Sequence, residues 1–335
     1  MKTSFIQAIG AALLVIAAAT ACGGAPVDTG ASAENASGAP RTITNCGQRL
    51  TVAKPPQRAV ALEQNATEIL LSLGLADRMA GTAYQTDPVL PALKDDYATV
   101  PVLAKLYPAR EAVLRAKPDF LYSTFTSAYA ADAGGPRADH AKLGIPAYLS
   151  PFACEKPADG RTSVSFDGLF AEIREVATLF GVTDRGDELV TEQQKRLDAA
   201  VEAVDVPQDT TALWYYSGTS TPYVAGPNGV PAAINALLGL KNVYGDATQT
   251  WPAGNWETIA TRDPDVIIVA DLTRGGDGDS AESKIEFLKG NPVTSRLTAV
   301  RENRFITVSG SSMDPSIRNV EAVEKVSSSL GTVLK

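Results

Sequence analysis

One pattern occurs twice in this sequence, and it limits the folds that the chain can adopt. Residues 110–121 read REAVLRAKPDFL, and residues 256–267 read WETIATRDPDVI. In each copy a glutamate is followed after six residues by Pro-Asp and then by an apolar run that is typical of a buried strand. The triplet Leu-Gly-Leu also occurs at 73–75 and 238–240, each time after an apolar helical pattern. Two copies in the same order predict two lobes of similar design.

Short apolar strands alternate with helical patterns through both halves of the chain, and this alternation predicts mostly parallel sheets. Between the halves, Asp167 to Val204 has helical spacing with a break at Gly181. The predicted fold is therefore α/β: two Rossmann-like lobes with mostly parallel sheets, joined by a long rigid helical connector. We place the lobes at 41–165 and 207–335 and the connector at 166–206, and we expect a stiff connector to keep lobe closure small.

The N-terminal segment has the features of an export signal. Lys2 and the apolar run 5–19 precede Ala19-Thr20-Ala21-Cys22, which resembles a bacterial lipobox. We predict that residues 1–22 are a lipoprotein signal peptide, that Cys22 is lipidated, and that the small polar residues 23–40 form a flexible tether. Cleavage at an Ala-x-Ala-like site and plain secretion is the alternative. With lipidation, the protein is anchored to the outer face of the cytoplasmic membrane.

The remaining cysteines are Cys46 and Cys154. An exported compartment permits a disulfide, and this pair is the only intrachain pairing left once Cys22 is lipidated. Two unpaired buried thiols are the alternative. The formal net charge of -8 argues against nucleic acid as the main partner.

The chain resembles the class III periplasmic binding proteins, which serve ABC importers of ferric siderophores, haem and cobalamin, and within them lipoproteins of an actinobacterial type. The resemblance rests on REAVLRAKPDFLY and WETIATRDPDVIIV, on the opening NCGQRLTVAKPPQRAVAL and on the closing AVRENRFITV. It covers about residues 41–335. It implies a monomer that captures a small molecule between two lobes and delivers it to a permease dimer.

The resemblance also implies a docking role for one glutamate in each lobe, and by motif position these are Glu111 and Glu257. Matching carboxylates on two lobes suit a two-fold symmetric permease, where such charges orient the complex more than they add affinity. The alternative is that each glutamate is simply favoured near a helix N-terminus.

In parallel α/β sheets, ligands bind at the loops that follow the carboxyl ends of strands. Aromatic and polar residues in these loops suit a bulky amphipathic ligand, and arginines there suit an anionic one. The predicted ligand-binding residues are Gln64, Asn65, Tyr84, Tyr107, Phe125, Tyr129, Phe152, Tyr216, Tyr223, Trp251, Arg274 and Arg318. Some aromatics could instead belong to the core, and Asn65 could be only the cap of a helix that opens with capping-box spacing to Glu68.

A resident metal or cofactor is not expected. His140 is the only histidine, its setting suggests an exposed helix position, and a three-ligand His/Cys site cannot be assembled if Cys46 and Cys154 are bridged. Iron would therefore arrive already chelated, although a tyrosine could ligate haem. Residues 275–279 look only superficially like a calcium loop.

We therefore predict a binding protein for a ferric siderophore, a small-molecule metal chelate, and not an enzyme. The same fold binding cobalamin, haem or an anionic cofactor precursor is the alternative. A surface hydrolase is a less favoured alternative, because the chain has no Gly-x-Ser-x-Gly elbow and a catalytic triad would need His140 in the cleft.

Overall fold

A computed structural model of the chain describes residues 40–155, 163–276 and 278–335. The predicted signal peptide, Cys22 and nearly all of the predicted tether lie outside these residues. Within the described part of the chain, no helix combines the length and the apolar character needed to cross a membrane.

The first half of the chain forms a parallel sheet preceded by a hairpin. The hairpin pairs β1 (Arg41–Asn45) with β2 (Gln48–Val52). The sheet has the strand order β5-β4-β3-β6-β7, and its strands are β3 (Ala59–Ala61), β4 (Met79–Ala83), β5 (Val102–Ala104), β6 (Phe120–Ser123) and β7 (Ala147–Leu149). Its helices are α1 (Gln64–Ser72), α2 (Lys94–Ala98), α3 (Arg110–Arg115) and α4 (Arg137–Lys142).

The connector consists of two helices, α5 (Phe166–Phe180) and α6 (Thr183–Glu202), which pack against each other. Gly181 ends α5 in the left-handed region with φ of +72°, which favours glycine. The apolar face of α5 covers the first sheet, where the rings of Phe120 and Phe180 meet edge to face at 5.2 Å.

The second half repeats the design. Its sheet has the order β10-β8-β11-β12, with β9 antiparallel to β8, and its strands are β8 (Thr211–Ser217), β9 (Tyr223–Val224), β10 (Lys241–Asn242), β11 (Val266–Asp271) and β12 (Phe305–Ser309). Its helices are α7 (Val230–Leu238), α8 (Trp256–Arg262), α9 (Ala281–Gly290), α10 (Thr298–Arg301) and α11 (Asn319–Val333). The connector helix α6 packs on α11, where Arg196 and Glu324 form an ion pair.

The two sheets share one topology. The order β4-β3-β6-β7 in the first sheet corresponds to β10-β8-β11-β12 in the second. The Pro-Asp of each repeat plays the same part, since Asp119 accepts the backbone N–H groups of Gln57 and Arg58, and Asp265 accepts the N–H and hydroxyl of Thr211. Each aspartate thus fixes the start of the first strand, in chain order, of its sheet: β3 in the first sheet and β8 in the second. The two Pro-Asp strands lie in separate sheets, as the predicted α/β fold with two lobes requires.

Candidate ligand-binding cleft

A cleft lies between the two lobes, lined by loops that follow strands of both sheets. A larger part has a volume of 590 Å³ and a smaller part 130 Å³. Phe125 and Asp314 line both parts, so the two parts adjoin each other. This is the position at which parallel α/β sheets bind ligands.

Most of the predicted ligand-binding residues line this cleft. The smaller part is lined by Gln64, Asn65, Tyr84, Tyr107, Phe125, Tyr216 and Arg274. The larger part is lined by Phe125 again, with Phe152 and Trp251. The structure therefore brings residues from loops distributed over both halves of the chain to one place.

Aromatic side chains form two facing groups in the cleft. In the first lobe the rings of Tyr84 and Tyr107 meet edge to face at 4.5 Å, and the Tyr107 hydroxyl lies 2.9 Å from the hydroxyl of Ser127. In the second lobe the rings of Tyr216 and Trp251 lie 5.1 Å apart. Such rings offer wide apolar faces with polar edges to a large ligand.

Three predicted ligand-binding residues lie away from the cleft lining. Tyr129 is buried in the first lobe and donates its hydroxyl hydrogen to the Tyr148 carbonyl at 2.7 Å. Tyr223 lies on β9 at the surface, with half of its side chain exposed. Arg318 is buried and makes a bidentate ion pair with Glu68, so its guanidinium does not face a ligand.

Gln64 and Asn65 hold the loops around the cleft. The Gln64 amide oxygen accepts the N–H groups of Thr86 and Asp87, each at 2.8 Å. The Asn65 amide donates to the Pro315 carbonyl of the opposite lobe at 3.1 Å. Asn65 is not the helix cap that the sequence suggests. Glu63 caps α1, and it does so by accepting the N–H groups of Asn65 and Ala66.

Two carboxyl groups that the sequence analysis did not select face the smaller part of the cleft. Glu63 is buried, which raises its pKa, although N–H groups of Thr124, Asn65 and Ala66 oppose this rise. The pKa of Asp314 is raised to about 7, mainly by burial and also by the neighbouring Glu63 carboxyl, while a hydrogen bond from Trp251 opposes the rise. Both residues belong to loops that follow strands β3 and β12, and the strand-end rule points to these two loops in the sequence.

Arg274 is the one arginine that lines the described part of the cleft. Its guanidinium donates to the Asp279 carboxylate at 2.7 Å and lies 5.7 Å from the centre of the Tyr216 ring. Asp279 also accepts the N–H of Gly276, so it orders the turn that resembles a calcium loop in the sequence. The positive charge of Arg274 is therefore largely neutralised within its own loop.

A buried carboxyl group lies beneath the cleft at the ends of the first sheet's strands. Glu172 of α5 accepts the hydroxyls of Tyr122 and Ser150 at 2.8 and 2.7 Å. Desolvation raises its pKa to about 7, and the hydroxyl hydrogen bonds only partly oppose this. Glu172 thereby links the connector to two of the cleft-forming strands.

His140 is fully buried, and the expectation that it is exposed was wrong. Its Nε2 lies 2.7 Å from the Gly134 carbonyl, and burial lowers the pKa of the imidazole. The ring packs in α4 on the first lobe and does not line the described cleft, so it offers neither a haem ligand nor a catalytic base there. Among the described residues, no group of three or more His, Cys, Asp or Glu side chains is arranged to hold a metal ion.

Cys46 and Cys154 form the predicted disulfide. The bridge ties the turn of the opening hairpin to the loop after β7, and Cys154 itself lines the larger part of the cleft. The two docking candidates are both exposed, and each lies in the first turn of the corresponding helix of its repeat: Glu111 in α3 and Glu257 in α8.

A family profile described as "Periplasmic binding protein" matches residues 60–311 of this chain. Among characterised relatives, the vitamin B12-binding protein of Vibrio campbellii is 25% identical over 233 residues, which cover 69% of this chain and 76% of that protein. A vitamin B12-binding protein of Vibrio parahaemolyticus is 23% identical over 252 residues, covering 73% of this chain and 83% of that protein.

Solved structures share the whole architecture. A periplasmic binding protein from Veillonella parvula is similar with a TM-score of 0.76 and 29% identity, covering 87% of this chain and 97% of that one. A structure described as an ABC-type Fe3+-hydroxamate transport system, from Saccharomonospora viridis, has a TM-score of 0.73 and 22% identity, covering 88% and 99%. At that level of identity the second likeness concerns the fold alone.

Proposed function

This chain belongs to the periplasmic binding protein family, and we propose that it captures a ferric siderophore between its two lobes and delivers it to the permease of an ABC importer. Proteins of this family are extracytoplasmic binding proteins of transporters and not enzymes. The observation that carries the proposal is the cleft itself, because it lies between the lobes and is lined by aromatic rings from both.

The shape and lining of the cleft support a bulky amphipathic ligand. The volume of the larger part is within the range of sites for drug-sized molecules. Tyr107, Tyr216 and Trp251 supply apolar faces, and the two tyrosines add hydroxyl groups. A ferric chelate with an organic shell matches these requirements, and it needs no protein ligand to the iron.

Delivery to a permease is supported by the exposed glutamates of the repeat. Because Glu111 and Glu257 occupy the same helix position in lobes of the same topology, one type of contact can serve both halves of a permease dimer. The anchor proposed for this function is the lipidated Cys22, with the following residues as a tether.

Cobalamin is the second candidate, favoured by the identity to the vitamin B12-binding protein of Vibrio campbellii. Cobalamin is also large and amphipathic, and the same aromatic loops could enclose it. The two candidates differ in the metal and in the organic shell, so direct binding measurements separate them.

The test is a fluorescence titration of the purified mature chain, whose three tryptophans report binding, with ferric hydroxamates, ferric catecholates, cyanocobalamin and haem. We expect saturable one-to-one binding of a ferric siderophore at submicromolar concentration. Tight binding of cyanocobalamin or haem without any response to the ferric chelates would contradict the proposal. A Phe125→Ala, Trp251→Ala variant should bind at least tenfold more weakly, because hydrophobic contacts at both lobes are lost.

A further inference from the structure

The charges of the cleft restrict the ligand further, and this inference rests on the proposed function. The described residues that line the cleft include the acidic side chains Glu63, Glu155 and Asp314 and a single basic one, Arg274. Because Arg274 is paired with Asp279, it has little charge left for an anionic ligand. Arg318, the other arginine that the sequence suggests for an anion, is paired with Glu68.

The two acidic side chains of the smaller part differ in how many hydrogen bonds their carboxylate oxygens accept from the protein. The Glu63 carboxylate accepts the backbone N–H groups of Asn65, Ala66 and Thr124 and the Thr124 hydroxyl, at 2.6 to 3.2 Å. These donors occupy its oxygens in capping α1 and ordering the loop after β6. Its charge still acts on the cleft, but its hydrogen-bonding capacity is used within the protein.

Asp314 is the carboxyl group that remains available to a ligand. It is half-buried, it lines both parts of the cleft, and Trp251 is its one side-chain hydrogen-bond donor among the described residues. A carboxylate can accept several hydrogen bonds, so most of its capacity is open to a donor in the cleft.

Aromatic side chains line the cleft together with Asp314. Phe125 lines both parts of the cleft with it, Tyr107 and Tyr216 line the smaller part, and Trp251 lines the larger part. Aromatic faces attract cations as well as apolar groups, and they add to the attraction of a carboxylate without requiring a second negative charge. An anion at the same place would meet ring faces and carboxylates together.

We propose that this cleft selects a metal chelate that carries a protonated amine, and that the amine is held by Asp314 between aromatic rings of both lobes. Anionic chelates, whose charge would face Asp314 and Glu63 without a free basic side chain among the described lining residues, are disfavoured.

A matched ligand series tests this charge preference. The probes are the ferric complexes of one linear trihydroxamate that ends in a primary amine, of its N-acetyl derivative and of its N-succinyl derivative, which differ mainly in charge: positive, neutral and negative. Titration calorimetry at pH 8 keeps Asp314 ionised. We expect the amine form to bind about tenfold more tightly than the acetylated form, as charge-assisted hydrogen bonds allow, and the succinylated form to bind most weakly.

A matched pair of variants assigns the preference to Asp314. Asp314→Asn keeps the shape of the side chain but removes its charge. The amine form then loses its charge-assisted contact, so the amine and acetyl forms should bind within about twofold of each other. Glu282→Gln, which removes an exposed carboxylate in the first turn of α9 that does not line the described cleft, should leave the preference nearly unchanged.

The outcomes separate the two proposals. If all three complexes bind equally well, or the succinylated form binds best, the charge preference is wrong while the siderophore function stands. If the preference survives in Asp314→Asn, its assignment to Asp314 is wrong. If none of the three complexes binds, the siderophore function fails for hydroxamates and the inference built on it fails too.

Discussion

Several carboxyl groups in and beneath the cleft are buried, and burial decides how they respond to pH. Glu172 has a pKa of about 7 because desolvation opposes its ionised form. A carboxyl group with a raised pKa makes the folded state bind more protons than the unfolded state between its two pKa values. The contribution of Glu172 to stability is therefore fully present below about pH 4.5 and is lost as the pH rises to 7.

Glu172→Gln should remove this loss. Glutamine resembles the protonated acid, with one acceptor oxygen and one donor group, and it stays neutral. We expect the free energy of unfolding of the variant, relative to the wild type, to be higher at pH 8 than at pH 4.5 by roughly 3 kcal/mol, since one pKa unit corresponds to about 1.4 kcal/mol. Urea unfolding at the two pH values measures this difference. If the stability of the variant relative to the wild type is the same at both pH values, ionisation of Glu172 does not destabilise the folded state.

The affinity for an amine-bearing chelate should also depend on pH. Asp314 binds the amine as a carboxylate, and its pKa is about 7, so affinity should rise between pH 6 and 8 and then level off. The other titratable or charged groups around this part of the cleft are Glu63, Asp87, Glu155, Arg274 and the tyrosines, and burial raises the pKa of Tyr107 and Tyr216, which keeps them neutral in this range.

Calorimetry at several pH values checks this dependence, which is at most about tenfold per pH unit for one proton. Asp314→Asn should flatten most of it, and any remainder belongs to Glu63 or Asp87. An affinity that falls as the pH rises from 6 to 8 would contradict the role given to Asp314.

At single positions the sequence predicts the cleft better than it predicts the partners of each side chain. The rule that ligands bind after strand ends points to Tyr84, Phe125 and Tyr216, which do line the cleft, because the rule depends only on chain order. It cannot distinguish Arg274, which lines the cleft, from Arg318, whose partner Glu68 is 250 residues away. The burial of His140 depends on a fold-dependent contact with the Gly134 carbonyl and has no local signature either.

Between elements, several hydrogen bonds and one ion pair join the two lobes. The loops after β3 and β4 bond to loops after β11 and β12 through Thr86 and Thr273, Asp87 and Ser311, and Asn65 and Pro315. Arg318 adds a buried ion pair with Glu68 and a hydrogen bond to the Pro88 carbonyl. The lobes are thus joined at two places, by these contacts and by the paired helices of the connector. Two such junctions favour a small closing motion.

Arg318→Met should be strongly destabilising, because it leaves the buried Glu68 carboxylate without its counter-ion. We expect a loss of about 3–5 kcal/mol in the free energy of unfolding, as is common when one partner of a buried pair is removed. The double variant Glu68→Gln, Arg318→Met should recover part of this loss, since no charge then remains unpaired. Denaturant unfolding of the three variants measures the coupling. A single variant that costs less than about 1 kcal/mol would show that the pair is solvated.

The elements themselves follow closely from local sequence. The Leu-Gly-Leu triplets predict the helix ends correctly, since Gly74 and Gly239 both have positive φ at the end of an apolar helix. The sequence places the N-cap of α1 at Asn65, whereas in the structure Glu63 caps the helix. Glutamate is an unusual N-cap residue. Here the Glu63 carboxylate is also held by Thr124 of another loop, which donates its N–H to it.

For the whole molecule, the duplicated sequence gives the most far-reaching prediction. Glu111→Lys with Glu257→Lys should abolish uptake of the ligand by whole cells, because positive charges would then replace the carboxylates that the resemblance implies for docking to the permease. Ligand affinity should stay unchanged, since neither residue lines the described cleft.

A matched control is available for this double variant. Glu282 and Glu321 are also exposed glutamates in the first turns of helices, α9 and α11, but they lie outside the repeat. Lysine at both of these positions should leave uptake intact. If the control pair abolishes uptake equally, the effect is one of overall charge, and the docking role of the repeat is wrong.

The most direct test of the central claim is native mass spectrometry of the chain purified, without unfolding, from its source organism grown under iron limitation. The account predicts a one-to-one complex whose added mass is that of an intact ferric chelate, and its loss in the Phe125→Ala, Trp251→Ala variant. A chain that carries cobalamin or haem instead, or whose adduct persists unchanged in that variant, would contradict it.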